Sequence, residues 1–412
     1  MIVIGLISGT SADGIDAAVA DVGLDDGLLR LRPLGHRSID YPAKLRDALW
    51  EALPPTEAGP EELCRLDAEL GQAFGDAAVA VNAEVAGSRA ELISSHGQTI
   101  HHLVDEAGRA RGTLQLGQPA WIAEATGLPV VSDLRNRDIA AGGHGAPLVA
   151  YPDVLLLAGR DRSGKASSDE PGAGGSSTAL EGEPAVRALL NIGGIANVTL
   201  RRPDGSSLAF DTGPGNALID AAVAEQTAEA ERVDWDGKRA RRGRVHEGLL
   251  AALLTDPYYR QPAPKSTGKE WFHRGYLARF LAEAPEVTDD DVVATVTALT
   301  AETITRAASE HGVAELVASG GGTANPALMD ELRLRATGVR IRTIDELGVP
   351  SDAKEAYWFA ALGFCTAHGI PGTLPSCTGA AHPSLLGHLT PGAEGFPRWD
   401  RLDPPSAMQV VA

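Results

Sequence analysis

The chain reads as an α/β protein of two domains. Three observations carry that reading. Strand and helix patterns alternate along its length. Its 412 residues, 43% of them hydrophobic, are enough for two cores. Two turns of similar make-up stand far apart in the chain, each after an apolar run: residues 5–16 (GLISGTSADGID) and residues 210–216 (FDTGPGN). Each packs glycine, small hydroxyls and carboxylates together. Such a turn exposes backbone N–H groups and lets them approach a phosphate closely. Two of them suggest a site that grips a nucleotide from two sides.

The elements follow in order. Residues 2–6 are apolar and β-branched and read as a strand, and residues 15–22 form a second apolar run. The turn residues between them predict a hairpin whose tip carries Ser8, Thr10, Ser11, Asp13 and Asp16. Neither a Gly-Lys-Ser/Thr phosphate loop nor a Gly-x-Gly-x-x-Gly fingerprint accompanies it. A plain hairpin with aspartate caps is the alternative reading. Leu92 and Ile93 give a short strand leading into residues 94–99. Residues 128–132 form another, ending at residues 133–138, and the glycine-rich stretch 140–148 reads as a hinge. The domain boundary is expected near Asp133. Residues 159–184 are Gly, Ser, Ala and acid with few large apolar side chains, which predicts a flexible surface loop.

Order resumes at residues 188–198, two strands around Gly193 and Gly194. Val292, Val296, Leu299 and Ile304 stand near helical spacing within residues 291–308. Residues 316–319 form a strand that runs into Gly320, Gly321 and Gly322. Asn325 suits a helix cap and Pro326 its first turn. A strand, a triple glycine and a helix start let backbone lie against a planar or anionic ligand. Close packing of helix on strand is the alternative.

Composition narrows the function. A net charge of −19 argues against a nucleic-acid groove, which requires lysine and arginine clusters. Cys64, Cys365 and Cys377 have no metal-ligand spacing, and their odd number fits a reducing cytoplasm. No basic segment precedes the first strand, so no signal peptide is expected. No apolar run approaches the ~18 residues of a membrane span, so no membrane partner is expected. His101 and His102 read as surface residues without a metal site. A homodimer is left open.

Seven segments occur in one order: residues 4–16, 95–99 (SHGQT), 140–148, 191–194 (NIGG), 210–216, 265–270 (KSTGKE) and 320–322. This series resembles the anhydro-N-acetylmuramic acid kinase family, which serves bacterial cell-wall (peptidoglycan) recycling. The resemblance runs over residues 1–392, excluding 159–184, and leaves a tail, 393–412, unmatched. It implies the two-domain fold of actin, sugar kinases and heat-shock ATPases: each domain a mixed β-sheet flanked by helices, with ATP in the cleft between them. The expected domains are 1–133, completed by 353–390, and 134–352.

The implied reaction is ATP-dependent phosphorylation of O6 of 1,6-anhydro-N-acetylmuramic acid while water opens the anhydro bridge at C1. The product is N-acetylmuramic acid 6-phosphate. The resemblance places the general base at Asp211. It places ATP contacts at Gly9, Thr10, Ser11, Ala12, Asp13, Gly14, Ile15 and Asp16, at Gly213, and at Gly320, Gly321 and Gly322. Asp13 is expected to orient hydrated Mg²⁺, which takes oxygen ligands and keeps several waters. His96, Gln98, Arg135 and Asn216 are expected to meet the sugar. Arg135 or Arg137 suits its lactyl carboxylate, because a guanidinium recognises carboxylates in bidentate fashion. Leu134, His144 and Lys269 stand where the family leads one to expect Phe, Gln and Arg. The rival functions are a kinase of another anhydrosugar such as levoglucosan, and a nucleotide-binding regulatory protein without turnover.

Overall fold

The computed structural model describes residues 1–9, 12–53, 56, 58–105, 108–166, 185–268 and 271–411, with backbone only for 161–166. The chain begins with strands β1 (Ile2–Ser8), β2 (Gly14–Asp25) and β3 (Leu28–Asp40) and helices α1 (Ala43–Ala52) and α2 (Pro60–Glu84). Next come β4 (Leu92–Val104), β5 (Ala110–Leu116), α3 (Pro119–Thr126), β6 (Val130–Ser132), α4 (Asn136–Ala140) and α5 (Ala150–Ala166). A second series opens with β7 (Val186–Ile192), β8 (Ile195–Arg201), β9 (Ser207–Pro214) and α6 (Ala217–Gln226). It continues through α7 (Lys238–Arg242), α8 (Glu247–Leu253), α9 (Arg274–Leu281) and α10 (Asp289–Glu310). It closes with β10 (Val313–Ser319), α11 (Pro326–Arg335) and β11 (Arg340–Thr343). The end of the chain supplies α12 (Lys354–Ala367), α13 (Pro375–Thr378), β12 (His388–Thr390) and β13 (Ala407–Val410).

The chain divides into two compact units, Met1–Gly172 with Ala353–Ala412, and Ala173–Asp352. The sheet of the first unit has the order β12-β6-β4-β1-β2-β3-β13, with β5 added to β4. It is mixed: β1 pairs antiparallel with β2 and parallel with β4. Both faces of β1 are covered, which is why its residues 3–8 are all buried. Ile4 and Leu6 meet Leu66, Leu70, Phe74 and Val81, one stripe of α2 at helical spacing. On the other face Gly5 lies against α12, where a β-carbon would collide with the Ala356 carbonyl oxygen.

The sheet of the second unit has the order β11-β10-β7-β8-β9, parallel from β11 to β7 and antiparallel from β7 to β9. Helix α10 packs Ala301, Ile304 and Ala308 on Leu190, Val198 and Leu316 of that sheet. Its earlier residues Val293, Val296 and Leu299 join Leu249, Phe272 and Tyr276. The apolar positions expected on this helix are thus divided between two clusters, and Asn325 and Pro326 cap and open α11 as expected.

Three expectations are corrected. The first unit runs past Asp133, because α5 packs against β13 and the neighbouring chain stays with the same sheet. Residues 159–166 belong to α5 and not to a loop. Gly159 sits where a β-carbon would meet the Met408 carbonyl oxygen, so small-residue composition here reflects close packing. Residues 167–184 lie outside the described residues. The tail, 393–412, which the resemblance leaves unmatched, adds β13 to the first sheet, pairing parallel to β3 from Ala407 to Val410. Strand β4 also extends well beyond Ile93, because Ser94, Ser95, His96 and Gln98 are polar yet buried inside the sheet.

Candidate active site

In the first unit the hairpin β1–β2 forms as expected. Its tip turns at Ala12, which has a left-handed φ of 54° and donates its N–H to the Gly9 carbonyl at 3.2 Å. The Asp13 carbonyl accepts from the Tyr41 N–H at 2.9 Å, which fastens the other side of the tip. Asp13 is exposed. Asp16 accepts from the Ser38 hydroxyl at 2.6 Å. Ile15 is 2% exposed and its side chain is in the core, so it offers a ligand only backbone. Thr10 and Ser11 lie outside the described residues.

His96 and Arg135 come together. The Arg135 Nε–H donates to His96 Nε2 at 2.8 Å, and His96 Nδ1 lies 2.9 Å from the Gly97 carbonyl. Nε2 is therefore the acceptor and Nδ1 carries the proton. Burial first, then the positive charge of Arg135, pushes the imidazole down to about 3, so it is neutral under ordinary conditions. Arg135 Nη1 donates to the Gly145 carbonyl at 2.7 Å, while no described residue engages Nη2. Arg137 is exposed. A cavity of about 260 Å³ opens beside His96, lined also by Ser95, Thr113, Gln115, Asp133 and Asn136. The Ser95 hydroxyl and the Gln115 side-chain carbonyl are buried there without hydrogen-bond partners among the described residues.

Gln98 is not where the sequence reading put it. Its amide is 1% exposed and turned to the hairpin. The side-chain carbonyl lies 2.5 Å from the Ser8 hydroxyl, and Nε2 donates to the carbonyls of Gly9 and Thr99, both at 3.2 Å. With every polar atom engaged, it has none left for a sugar.

In the second unit Asp211 lies within the edge strand β9, not in a turn. Its backbone N–H donates to the Lys265 carbonyl at 3.0 Å, and its own carbonyl accepts from the Tyr258 hydroxyl at 2.7 Å. Asp211 Oδ2 accepts from the Ser266 hydroxyl and the Thr267 N–H, both at 2.9 Å. The Lys265 ammonium donates to the Tyr258 carbonyl at 3.2 Å and lies 4.7 Å from the Tyr258 ring centre. Residues 265–267 thus hold Asp211, a role that spacing in the sequence did not reveal. Lys269 and Glu270 lie outside the described residues.

Most glycines of these turns are closely packed. The N–H groups of Gly215 and Asn216 donate to Gly194 and Gly193 carbonyls, each at 2.8 Å, so these donors serve the fold. Asn216 precedes α6 and is half-buried. Gly213 is confined by the Tyr259 ring. Gly320, with φ of 86°, and Gly322 lie against Ile192, where a β-carbon would not fit. Gly321 alone of the three faces open space. Close packing accounts for two of these glycines and leaves the third open.

Glu355 went unnoticed in the sequence. It is half-buried in the first turn of α12, and burial raises its carboxyl, opposed by Lys354 and Arg135. Beside it the buried Lys354 ammonium lies 3.0 Å from Asp153 Oδ1, which also accepts from the Trp358 indole at 2.6 Å.

The family description anhydro-N-acetylmuramic acid kinase matches residues 1–166 and 174–392. A Streptomyces coelicolor protein of that name is 53% identical over 412 residues, all of this chain and 99% of its own. One from Rhodococcus erythropolis is 50% identical, covering all of both chains. A solved ROK-family glucokinase from Streptomyces griseus, in complex with glucose and AMPPNP, aligns at 13% identity. It covers 88% of this chain and 99% of its own, with a TM-score of 0.34. From the family match and these identities, the chain belongs to the anhydro-N-acetylmuramic acid kinase family.

Proposed function

We propose that this chain is the kinase that converts 1,6-anhydro-N-acetylmuramic acid, ATP and water to N-acetylmuramic acid 6-phosphate and ADP, in peptidoglycan recycling in the cytoplasm. Beyond kinship, the observation that supports it is the setting of Asp211. One carboxylate oxygen is held by two donors, which fixes the group as a positioned base requires. Asp211 takes a proton from the water that attacks C1. The C1–O6 bond breaks, and O6 takes the γ-phosphoryl group as the bond to ADP breaks. The proton ends on Asp211.

Residues 9–16 are the reading for the ATP phosphates and residues 320–322 for the adenosine, with Gly321 the open position. Among the described residues no three carboxylates or imidazoles gather as a metal cage. The exposed Asp13 is a single oxygen donor at the hairpin tip. That suits Mg²⁺, which keeps waters and takes phosphate oxygens. When bound, the ion offsets charge on the transferring group. Arg135 Nη2 is the group for the lactyl carboxylate, with His96 holding the guanidinium in place. No described helix is long and apolar enough to cross a membrane.

The test is turnover with a panel of anhydrosugars. ADP should form only with 1,6-anhydro-N-acetylmuramic acid present, and chelator should stop it. Equal turnover of levoglucosan would make this a kinase of another anhydrosugar. Nucleotide binding without turnover of any sugar would make it a regulatory protein.

A further inference from the structure

Strand β4 carries both His96 and Gln98, yet the two side chains serve different places. Strict alternation would put residues two apart on one face. The β1–β4 register is interrupted: Leu6 pairs with Ser95, but Ser8 pairs with Gln98. Two steps along β1 thus match three along β4, which is a bulge. Gly97 supplies it with a φ of 74°, and a β-carbon there would collide with the Leu116 carbonyl. On one side of this bulge His96 meets Arg135. On the other, Gln98 grips Ser8 and Gly9 at the root of the hairpin. The Gly9 carbonyl takes two donors, the Gln98 amide and the Ala12 N–H, and the second of these closes the tip.

We propose that Gln98 is a positioning residue that sets the phosphate hairpin and couples it, through the Gly97 bulge, to the sugar pocket at His96. It touches neither substrate. A sugar that tightens the His96–Arg135 pair steadies the bulge, and the bulge steadies the carbonyl of Gly9. Linkage then requires each ligand to strengthen the other by the same factor. The inference rests on the reading of residues 9–16 as the ATP site.

The experiment measures equilibrium binding by calorimetry on the full chain. A non-hydrolysable ATP analogue and 1,6-anhydro-N-acetylmuramic acid are each titrated alone and in the presence of the other. Wild type is compared with Gln98→Met and Gln98→Glu, the latter keeping shape and the acceptor for Ser8. Both variants should weaken the analogue at least ~10-fold, the loss expected for a lost buried hydrogen bond. Sugar binding alone should stay within about twofold, and the coupling factor should fall toward one. Weakened sugar with unchanged analogue would make Gln98 a sugar ligand and overturn the proposal. So would unchanged coupling, and so would unfolding of both variants, which would make Gln98 a general core residue. If wild type itself binds no analogue, the hairpin reading fails instead, and that outcome is distinct from the others.

Discussion

At the scale of single residues the proposed chemistry rests on Asp211. Asparagine has nearly the same size but cannot take a proton from water. Asp211→Asn should still bind ATP and sugar yet lose ~100-fold or more in kcat. In ¹⁸O-water, wild type should place the label on the C1 hydroxyl and none in the transferred phosphate. Label in the phosphate would mean that water attacks phosphorus. Ser266→Ala removes one of two donors at Asp211 Oδ2 and leaves the Thr267 N–H. It should lower kcat about 10-fold with little change in KM, as expected for one lost hydrogen bond to a charged group. His96 gives a prediction of another kind. Its folded value near 3 is below the usual 6.5, so the unfolded chain binds the extra proton between them. Stability is therefore lost as pH falls through that window. His96→Gln keeps an acceptor for Arg135 without a titrating ring. Urea unfolding from pH 6 to 4 should show a slope smaller by about 1.4 kcal/mol per pH unit. Equal slopes would mean that His96 is not buried neutral. That Asp211 follows an apolar run and precedes two glycines was legible in the sequence; that it lies within β9, held by Ser266 and Thr267, was not. Gln98 was misassigned because a one-residue bulge reverses which side chain meets which partner, and Gly97 alone does not announce it.

At the scale of elements the sequence was clearest where periodicity was strong. The hairpin β1–β2, the strands around Gly193 and Gly194, and α10 all stand where their patterns predicted. It failed where polar or small residues do the work of a core. The run Ser94 to Gln98 is polar and carries no apolar strand pattern, yet it lies buried within β4. Gly159 reads as loop composition, yet it is the contact between α5 and β13. The link from α5 to α12 was equally hidden, since Asp153 and Lys354 are far apart in the chain and are 2% exposed. Removing one partner of such a pair leaves a buried charge uncompensated. Lys354→Met should therefore cost about 3–5 kcal/mol in urea unfolding. Adding Asp153→Asn keeps an acceptor for the Trp358 indole and removes the charge, so the double variant should recover part of that loss. A cost below about 1 kcal/mol in the single variant would show that Asp153 is neutralised some other way.

At the scale of the whole molecule the chain order separates two kinds of unit. The second is continuous, Ala173–Asp352, with its own sheet and two clusters around α10. The first is assembled from both ends of the chain. Its early part lacks the strand β13 that pairs with β3, the strand β12 that pairs with β6, and the helix α12 that covers Gly5. Helix α12 alone brings Trp358, Tyr357 and Phe359, among the largest fully buried side chains of the protein. Without it, one face of β1 would stand in water. The family description ends at residue 392, yet the Met408 carbonyl against Gly159 makes the tail part of this packing. Residues 1–172 expressed alone should therefore give no cooperative thermal transition and should be digested by protease. Residues 185–352 alone should unfold cooperatively, because nothing in their sheet comes from elsewhere. The chain cut after residue 392 should lie between these cases, folded but less stable, with β3 left as an open edge prone to association. Circular dichroism melts and limited proteolysis of the three fragments decide it. A cooperative transition in residues 1–172 would mean that the early strands close a core on their own, and that the returning segment is an addition rather than a requirement.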